Sequence, residues 1–223
     1  MNIHRCLAVI VALLAALAAP ACHMLDPQPD PTQFYVLTPM GDPPQSMVAT
    51  AKSAITIGLG PVNLPRYLEQ PWMVMRGESN RLYVSAHDQW GEPLRNSFKD
   101  VLKQDLSFEL SDDEIVDYPW YRTTLVDCQI IVDVINFEVD TSTNTANIRA
   151  QWEVVNSRNG RTQARGQFVA AQSVGQPSGL DRSAALSKLV SGLAQTLASQ
   201  VRRGPTLVRG GPAAASRQVA FGR

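Results

Sequence analysis

The sequence is poor in the residues that most often carry chemistry. Its 223 residues include three cysteines and three histidines. Neither sign of charge is in excess, because 20 basic residues balance 20 acidic ones. A protein whose main partner is a nucleic acid needs a concentrated basic face to neutralise phosphates. The charge balance therefore argues against nucleic acid as the main partner.

The chain also lacks an apolar run that could cross a membrane. The longest run, LAVIVALLAALAA at residues 7–19, has thirteen residues, whereas a spanning helix needs about 20. A weakly positive start precedes this run and small residues follow it, which is typical of a secretory signal. Cys22 comes directly after those small residues, in a pattern that resembles bacterial lipoproteins. That resemblance implies a signal peptide over residues 1–21 and lipidation of Cys22.

An ordinary secretory signal is the alternative. Lipoprotein signals usually place leucine three residues before the cysteine, where this sequence has Ala19. Pro20 is also unusual at that point. If Leu17 anchors recognition instead, cleavage follows Ala19 or Ala21. The mature chain is then a plain exported protein with a free cysteine near its start.

The third cysteine indicates how the fold must be stabilised. Cys6 leaves with the signal and Cys22 takes the lipid, so Cys128 has no partner for an intramolecular disulfide. Although an exported chain meets an oxidising compartment, this one must be held together by its hydrophobic core. Cys128 lies in a β-branched run, which predicts a small core residue rather than a nucleophile. After loss of the signal, 19 basic and 20 acidic residues remain.

Composition divides the mature chain into three parts. Residues 22–33 contain three prolines and little that is apolar, which predicts an extended proline-rich tether. Residues 34–202 are rich in apolar positions and are numerous enough for a single α+β domain. Residues 203–223 carry four arginines and no acid among many Gly, Pro and Ala residues, which predicts a disordered tail.

Two segments have the spacing of amphipathic helices. Apolar residues recur at helical intervals within residues 93–110 and again within residues 178–202. Ser178 and Asp181 resemble a capping arrangement at the start of the second segment. We therefore predict two amphipathic helices.

Strand patterns occupy most of the remaining domain. Alternating or β-branched runs predict strands in segments 33–39, 54–60, 72–77, 82–86, 125–140, 145–157 and 162–174. The last three predict an antiparallel meander, with a bulge near residues 134–135 where the alternation slips phase. The acidic stretch 111–117 is interpreted as a solvated link. The predicted fold is α+β: a largely antiparallel sheet of about six strands with two amphipathic helices on one face.

No catalytic or metal-binding constellation can be assembled from the sequence. The mature chain keeps His23 and His87, and nothing near His87 indicates a nucleophile elbow or an oxyanion loop. The acids of residues 111–117 lack the alternating ligands and the glycine of a calcium loop. We therefore expect no enzyme activity, no metal and no cofactor. A lipoprotein hydrolase is an open alternative, and it would require His87.

Several stretches resemble the PqiC family of ABC-type transport auxiliary lipoproteins. They are FYVLTP (34–39), GPVNLPRYLEQPWMVMRGESNRLYVSAHDQWGEPL (60–94), DYPW (117–120), INFEVD (135–140) and AQWEV (150–154). The second stretch is the most specific, because it combines a Val-x-Leu-Pro-x-Tyr-Leu core with a Trp-x-Glu-Pro-Leu helix start. Gln89 departs from the family, which usually has arginine before that tryptophan. The resemblance covers nearly the whole mature domain.

The resemblance implies an accessory role in lipid transport. Such a protein is an outer-membrane lipoprotein that faces the periplasm and serves an MCE-type system moving lipids between the two membranes. Its expected partners are the MCE-domain protein, which it docks at the outer membrane, the membrane itself through the lipid anchor, and further copies of the chain in a homo-oligomeric ring. His23 rather than aspartate follows Cys22, which fits outer-membrane sorting. A structural or pilot lipoprotein of another envelope assembly is the alternative.

Aromatic residues at loop positions form the candidate interface. Tyr, Trp and Arg dominate interface energetics because they bury a large area and keep a polar group. The candidates for partner contact are Arg66, Tyr67, Trp72, Trp90, Tyr118 and Trp120. The alternative is that these residues pin loops onto the edge of the sheet.

Overall fold

The computed structural model describes residues 30–41 and 54–203. The signal peptide, Cys22, most of the tether and residues 204–223 lie outside the described residues, so the expectations for them stay predictions. Within the described ranges, no helix is both long enough and apolar enough to span a membrane.

In the described part of the chain, eight strands and two α-helices make up the domain. The strands are β1 (Gln33–Tyr35), β2 (Thr56–Asn63), β3 (Trp72–Arg76), β4 (Leu82–Trp90), β5 (Glu114–Asp117), β6 (Cys128–Asp140), β7 (Thr145–Asn156) and β8 (Thr162–Ser173). The helices are α1 (Leu94–Glu109) and α2 (Gly179–Arg203). Short 3-10 turns cover Arg66–Leu68 and Glu78–Asn80. Both helices lie close to their predicted bounds.

Strand β6 is the centre of the sheet. β7 pairs antiparallel with β6 along its whole length, and β8 pairs antiparallel with β7. The other edge of β6 is divided between β2 and β3, which pair parallel with its first and its last residues. β5 extends the sheet from β2, while β4 and then β1 extend it from β3. The chain between β2 and β3 therefore leaves the edge of β6 and returns to it in the same direction.

The predicted α+β class is confirmed, but the sheet is mixed. Four of the seven strand pairings are parallel, whereas the antiparallel ones join the longest strands and include the predicted β3–β4 hairpin. The described residues form eight strands rather than about six. One addition is β5, because the acidic stretch 111–117 is not wholly a solvated link: its second half pairs with β2 and buries Ile115.

Both helices pack on one face of the sheet, as predicted. Cys128, Ile130 and Val132 of β6 alternate toward that face and are fully buried. Phe98 of α1 meets Phe137 of β6 edge to face, with ring centroids 5.1 Å apart. Phe137 thus lies on the same side of β6 as Cys128, although the two strand positions differ in parity. A register shift between Val134 and Asn136 explains this and confirms the predicted bulge.

Helix α2 begins with the predicted cap. The backbone N–H of Asp181 donates to Oγ of Ser178, and that hydroxyl donates to Oδ2 of Asp181, both at 3.1 Å. The pair satisfies a backbone donor that a helix start otherwise leaves free.

The segment after β1 contacts both helices. The predicted first strand (33–39) ends at Tyr35, and the following backbone N–H groups donate to helix side chains instead: Leu37 to Ser97, Thr38 to Ser187 and Met40 to Asp105. Asp105 of α1 is fully buried, and its other oxygen accepts a 2.7 Å hydrogen bond from Ser191 of α2. Residues 37–40 therefore fasten the start of the domain to both helices.

Candidate interaction surface on the outer face of the sheet

The two helices cover one face of the sheet, and the opposite face is called the outer face here. Paired residues on neighbouring strands point to the same face, and successive residues of one strand alternate. Asp133 and Asp140 of β6 each follow a buried valine that points to the helices, so both point to the outer face. Their pairing partners, Gln151 of β7 and Arg76 of β3, point to the same face. The register thus assigns every paired residue to one face or the other.

The outer face of β6, β7 and β8 is concave and rich in polar side chains, with Val169 exposed among them. Two open concavities of about 510 and 700 Å³ lie there. Polar side chains line them, namely Asn136, Asn147 and Arg149 in the first and Asp133, Gln151, Glu153, Arg165 and Gln167 in the second. Within the described residues, the side chains of Arg149 and Arg165 form no hydrogen bond or ion pair, so both guanidinium groups remain available to a partner.

A buried carboxylate joins the 3-10 turn after β2 to the outer face. Glu138 of β6 is only 2% exposed. Its Oε2 accepts a 2.6 Å hydrogen bond from the Tyr67 hydroxyl and a 3.0 Å bond from the backbone N–H of Phe137. Its Oε1 accepts a 2.7 Å bond from Nε of Arg76. Because a buried charge is costly unless it is paired, these three donors are what allow the carboxylate to be buried there.

The same contacts perturb both partner side chains. Burial and then the hydrogen bond to Glu138 raise the pKa of the Tyr67 hydroxyl well above its ordinary value. The hydrogen bond to Glu138 also raises the pKa of Arg76. Tyr67 therefore stays a neutral donor and Arg76 stays a cation over any physiological pH.

Tyr67 lies in a segment that is pinned on both sides. Leu64 and Leu68 point into the core and are buried. Arg66, between them, is exposed, and its side chain has no hydrogen-bond or ion-pair partner within the described part of the chain. The geometry of Tyr67 agrees with the pinning alternative, whereas Arg66 keeps a free surface. Its role as a partner contact stays a prediction.

Tyr118 and Trp120 form a second group, above β2. Their rings meet edge to face with centroids 5.5 Å apart. The Trp120 ring lies against Gly58, where a Cβ atom would overlap it, and Cβ of Tyr118 lies beside Gly60, whose φ is +117°. The two glycines are thus required for these aromatic side chains to approach the strand. Tyr118 stays half exposed and is the more accessible of the pair.

The two remaining candidates lie in different surroundings. Trp90 is buried beside a small cavity that Leu94 of α1 and Leu186 of α2 also line, so it contributes packing and offers little surface to a partner. Trp72 is half-buried. It belongs to the outer face because its partner Gln89 of β4 points away from the side on which the next residue, Trp90, is buried. The structure therefore does not bring the six predicted residues into one patch.

Sequence reasoning missed a set of exposed apolar residues on β1, directly after it and on β4. Phe34, Val36, Leu82 and Val84 are all exposed. The signal was present as two apolar pairs with i, i+2 spacing, which is strand spacing. This spacing did not predict a shared surface, because nothing in the sequence indicates that β1 pairs with β4.

The surroundings of His87 give the hydrolase alternative no support. The neighbouring carboxylate of Asp88 accepts hydrogen bonds from Ser85 and from Arg182 of α2. The exposed imidazole of His87 has neither of these groups as a hydrogen-bond partner. Within the described residues, no three His, Cys, Asp or Glu side chains are grouped as metal ligands.

Comparison with known proteins places this architecture in a family. The family model described as "ABC-type transport auxiliary lipoprotein component" matches residues 35–198. An uncharacterised protein of known crystal structure is similar, with a TM-score of 0.62, 15% identity and coverage of 76% of this chain and 98% of that one. Protein XCC0632 from Xanthomonas campestris is also similar, with a TM-score of 0.61, 16% identity and coverage of 77% and 98%.

The two structural similarities concern the fold alone, and no curated protein sequence matches the chain significantly. The family match is of a different kind, because it spans the whole domain from the end of β1 to the last turns of α2. It confirms the resemblance to the PqiC family that the stretches from FYVLTP to AQWEV indicate. The chain therefore belongs to the family of ABC-type transport auxiliary lipoprotein components.

Proposed function

We propose that this chain is the outer-membrane lipoprotein subunit of an MCE-type intermembrane lipid transport system. It docks the periplasm-spanning MCE protein at the outer membrane by presenting protein surface. The family match over residues 35–198 carries the proposal, because it assigns the chain to the auxiliary lipoproteins of ABC-type transport. The description of that family names a transport accessory.

Cys22 attaches the protein to the membrane in this proposal. One acyl chain gives only reversible binding, whereas several chains together give a stable anchor. Cys22→Ala is therefore expected to release the protein from the membrane fraction and to leave the precursor uncut. Cys128→Ala, which removes the buried cysteine instead, is the control and should stay anchored. A mature, soluble protein with an unmodified Cys22 by mass spectrometry would contradict the lipoprotein assignment.

His23 supports the outer membrane as the destination. In bacteria with the usual sorting rule, aspartate directly after the lipidated cysteine retains a lipoprotein in the inner membrane. We expect His23→Asp to move the protein to the inner-membrane fraction, with His23→Ala as the control that stays in the outer membrane. Finding the unaltered protein in the inner membrane would remove the docking role as stated.

Partner capture separates this proposal from a scaffold lipoprotein of another envelope assembly. A pull-down of the full mature chain in mild detergent is expected to recover an MCE-domain protein. The exposed candidates Arg66 and Tyr118 test the surface, since replacing either by alanine should weaken capture while the domain stays folded. Recovery of a different envelope machine would favour the scaffold alternative. The homo-oligomeric ring is tested on the same sample by its mass in sedimentation analysis.

A further inference from the structure

The strands at the β1 edge of the sheet present an apolar surface on the outer face. The pairing register places Phe34 of β1, Gln89 of β4 and Trp72 of β3 side by side on that face. Trp72 and Val74 are two residues apart on β3, and a register shift between their pairs places Val84, the partner of Val74, next to this row although Val84 and Gln89 are five residues apart on β4. We name as the β1 patch the residues Phe34, Val36, Trp72, Leu82 and Val84.

The β1 patch is exposed over adjacent strands. Phe34 is 66% exposed and Val84 is 48% exposed. Single exposed apolar residues are ordinary on protein surfaces, but several on one face of neighbouring strands mark an interaction site. The patch differs from the outer face of β6, β7 and β8, where polar side chains surround the exposed Val169. We therefore expect the β1 patch to bind an apolar partner.

We propose that the β1 patch rests on the lipid surface to which the chain is anchored. This inference depends on the proposed anchor at Cys22. Phe34 follows Cys22 by twelve residues, and an extended chain of that length spans about 40 Å at most. The patch thus begins at the first residue after the tether, and the tether keeps it close to the bilayer. A short tether raises the effective concentration of the lipid surface at the β1 patch.

The composition and the rigidity of the patch suit a lipid surface. Trp72 is of a residue type that favours the headgroup region, where its ring is buried and its indole N–H can stay hydrated, and Phe34 adds apolar area that the interface can bury. β1 is fixed by its pairing with β4, and residues 37–40 are bonded to both helices. Contact with lipid at the β1 patch would therefore hold the whole domain in one orientation.

Quenching by brominated lipid tests the proposal. Phe34→Trp adds an emitter within the patch, and Val36→Trp adds a second one on the same face of the chain. Phe108→Trp is the matched control, because Phe108 is also exposed (46%) but belongs to α1, on the other side of the sheet. Each full mature variant is reconstituted into phosphatidylcholine vesicles with and without brominated acyl chains. The measured quantity is the emission added relative to the unaltered protein.

The expected result is an approximately twofold loss of the added emission for Phe34→Trp and Val36→Trp, and no loss for Phe108→Trp. Equal quenching at all three positions, or none at position 34 and 36, would overturn the proposal. An emission that is shifted to the blue but not quenched would show that a second copy or another protein covers the patch. The mass of the N-terminal peptide tells the two proposals apart. An acylated chain without quenching refutes only the lipid contact, whereas quenching of an unacylated chain refutes only the anchor.

Discussion

Tyr67 and Glu138 are 71 residues apart in sequence, and the Tyr67 hydroxyl donates a 2.6 Å hydrogen bond to Oε2 of Glu138. The bond connects the 3-10 turn between β2 and β3, where the chain leaves the edge of β6, to β6 itself. With Arg76 it satisfies a carboxylate that is almost wholly buried. The tyrosine that the sequence marks as a partner contact is therefore bonded within the fold.

Tyr67→Phe should destabilise the domain and leave partner binding unchanged. The variant keeps the ring but removes one donor from a buried carboxylate, and hydrogen bonds to charged groups contribute about 1.5–3 kcal/mol. We expect a loss of that size in the free energy of unfolding, measured by denaturant titration. A variant with unchanged stability but weaker capture of the partner would restore Tyr67 as an interface residue.

Arg66→Ala should show the reverse behaviour. Its side chain is exposed and has no partner among the described residues, and such surface changes usually alter stability by less than about 0.5 kcal/mol. If Arg66 contacts the partner, capture weakens by about 1–3 kcal/mol. Measuring stability and capture on Tyr67→Phe and Arg66→Ala together compares two neighbouring residues of one 3-10 turn. Unchanged capture with Arg66→Ala would remove this residue from the interface.

Gly58→Ala should displace Trp120 from the sheet. The added Cβ overlaps the indole ring, and overpacking of this kind costs about 1–3 kcal/mol. Gly160→Ala is the control, because Gly160 lies in open space and the change there imposes only the strain of a φ of +67°. The near-ultraviolet circular dichroism of the tryptophans should change in Gly58→Ala alone. Identical spectra for both variants would mean that Trp120 packs elsewhere.

Asp105→Ala should loosen the attachment of residues 37–40 to the helices. It leaves the backbone N–H of Met40 without its acceptor, and the Ser191 hydroxyl keeps only its 3.3 Å bond to the Ser187 carbonyl, at a cost of about 1–3 kcal/mol. Asp105→Asn keeps one acceptor oxygen and should cost less. Denaturant titration gives the order of the two variants, and hydrogen exchange at Met40 reports the local opening. Equal stability of both variants and the unaltered protein would contradict this role.

Local sequence patterns predicted the helices and the long antiparallel strands because those elements carry their own periodicity. Leucines at helical spacing marked α1 and α2, and the phase slip in β6 located the bulge between Val134 and Asn136. The parallel pairings were missed for a physical reason. A short strand such as β1 or β3 shows that it is extended, but its sequence does not state which strand it joins or in which direction.

The candidate site was less predictable than the fold. Exposure at a loop position depends on contacts made far away in sequence, as between Tyr67 and Glu138 or between Trp120 and Gly58. Trp90 shows the same point: its sequence position lies beyond the predicted strand 82–86, in a predicted loop, whereas in the structure it ends β4 and is buried beside a cavity that residues of both helices also line. Phe34 and Val84 were missed because only the pairing of β1, β4 and β3 places them on one face.

Cys128 should react with thiol reagents only after the domain unfolds. Its side chain is fully buried, and burial raises the pKa of its thiol from 9.0 to about 12. A folded-state pKa above the unfolded value means that the neutral thiol contributes stability that is fully present below pH 9 and is lost as the pH rises toward 12. Cys128→Ala should cost about 1–2 kcal/mol at neutral pH through lost packing, and its stability should fall less between pH 9 and 10 than that of the unaltered protein. Labelling rates and denaturant titrations over this range measure both effects. Fast labelling of the native protein at neutral pH would show that the thiol is accessible.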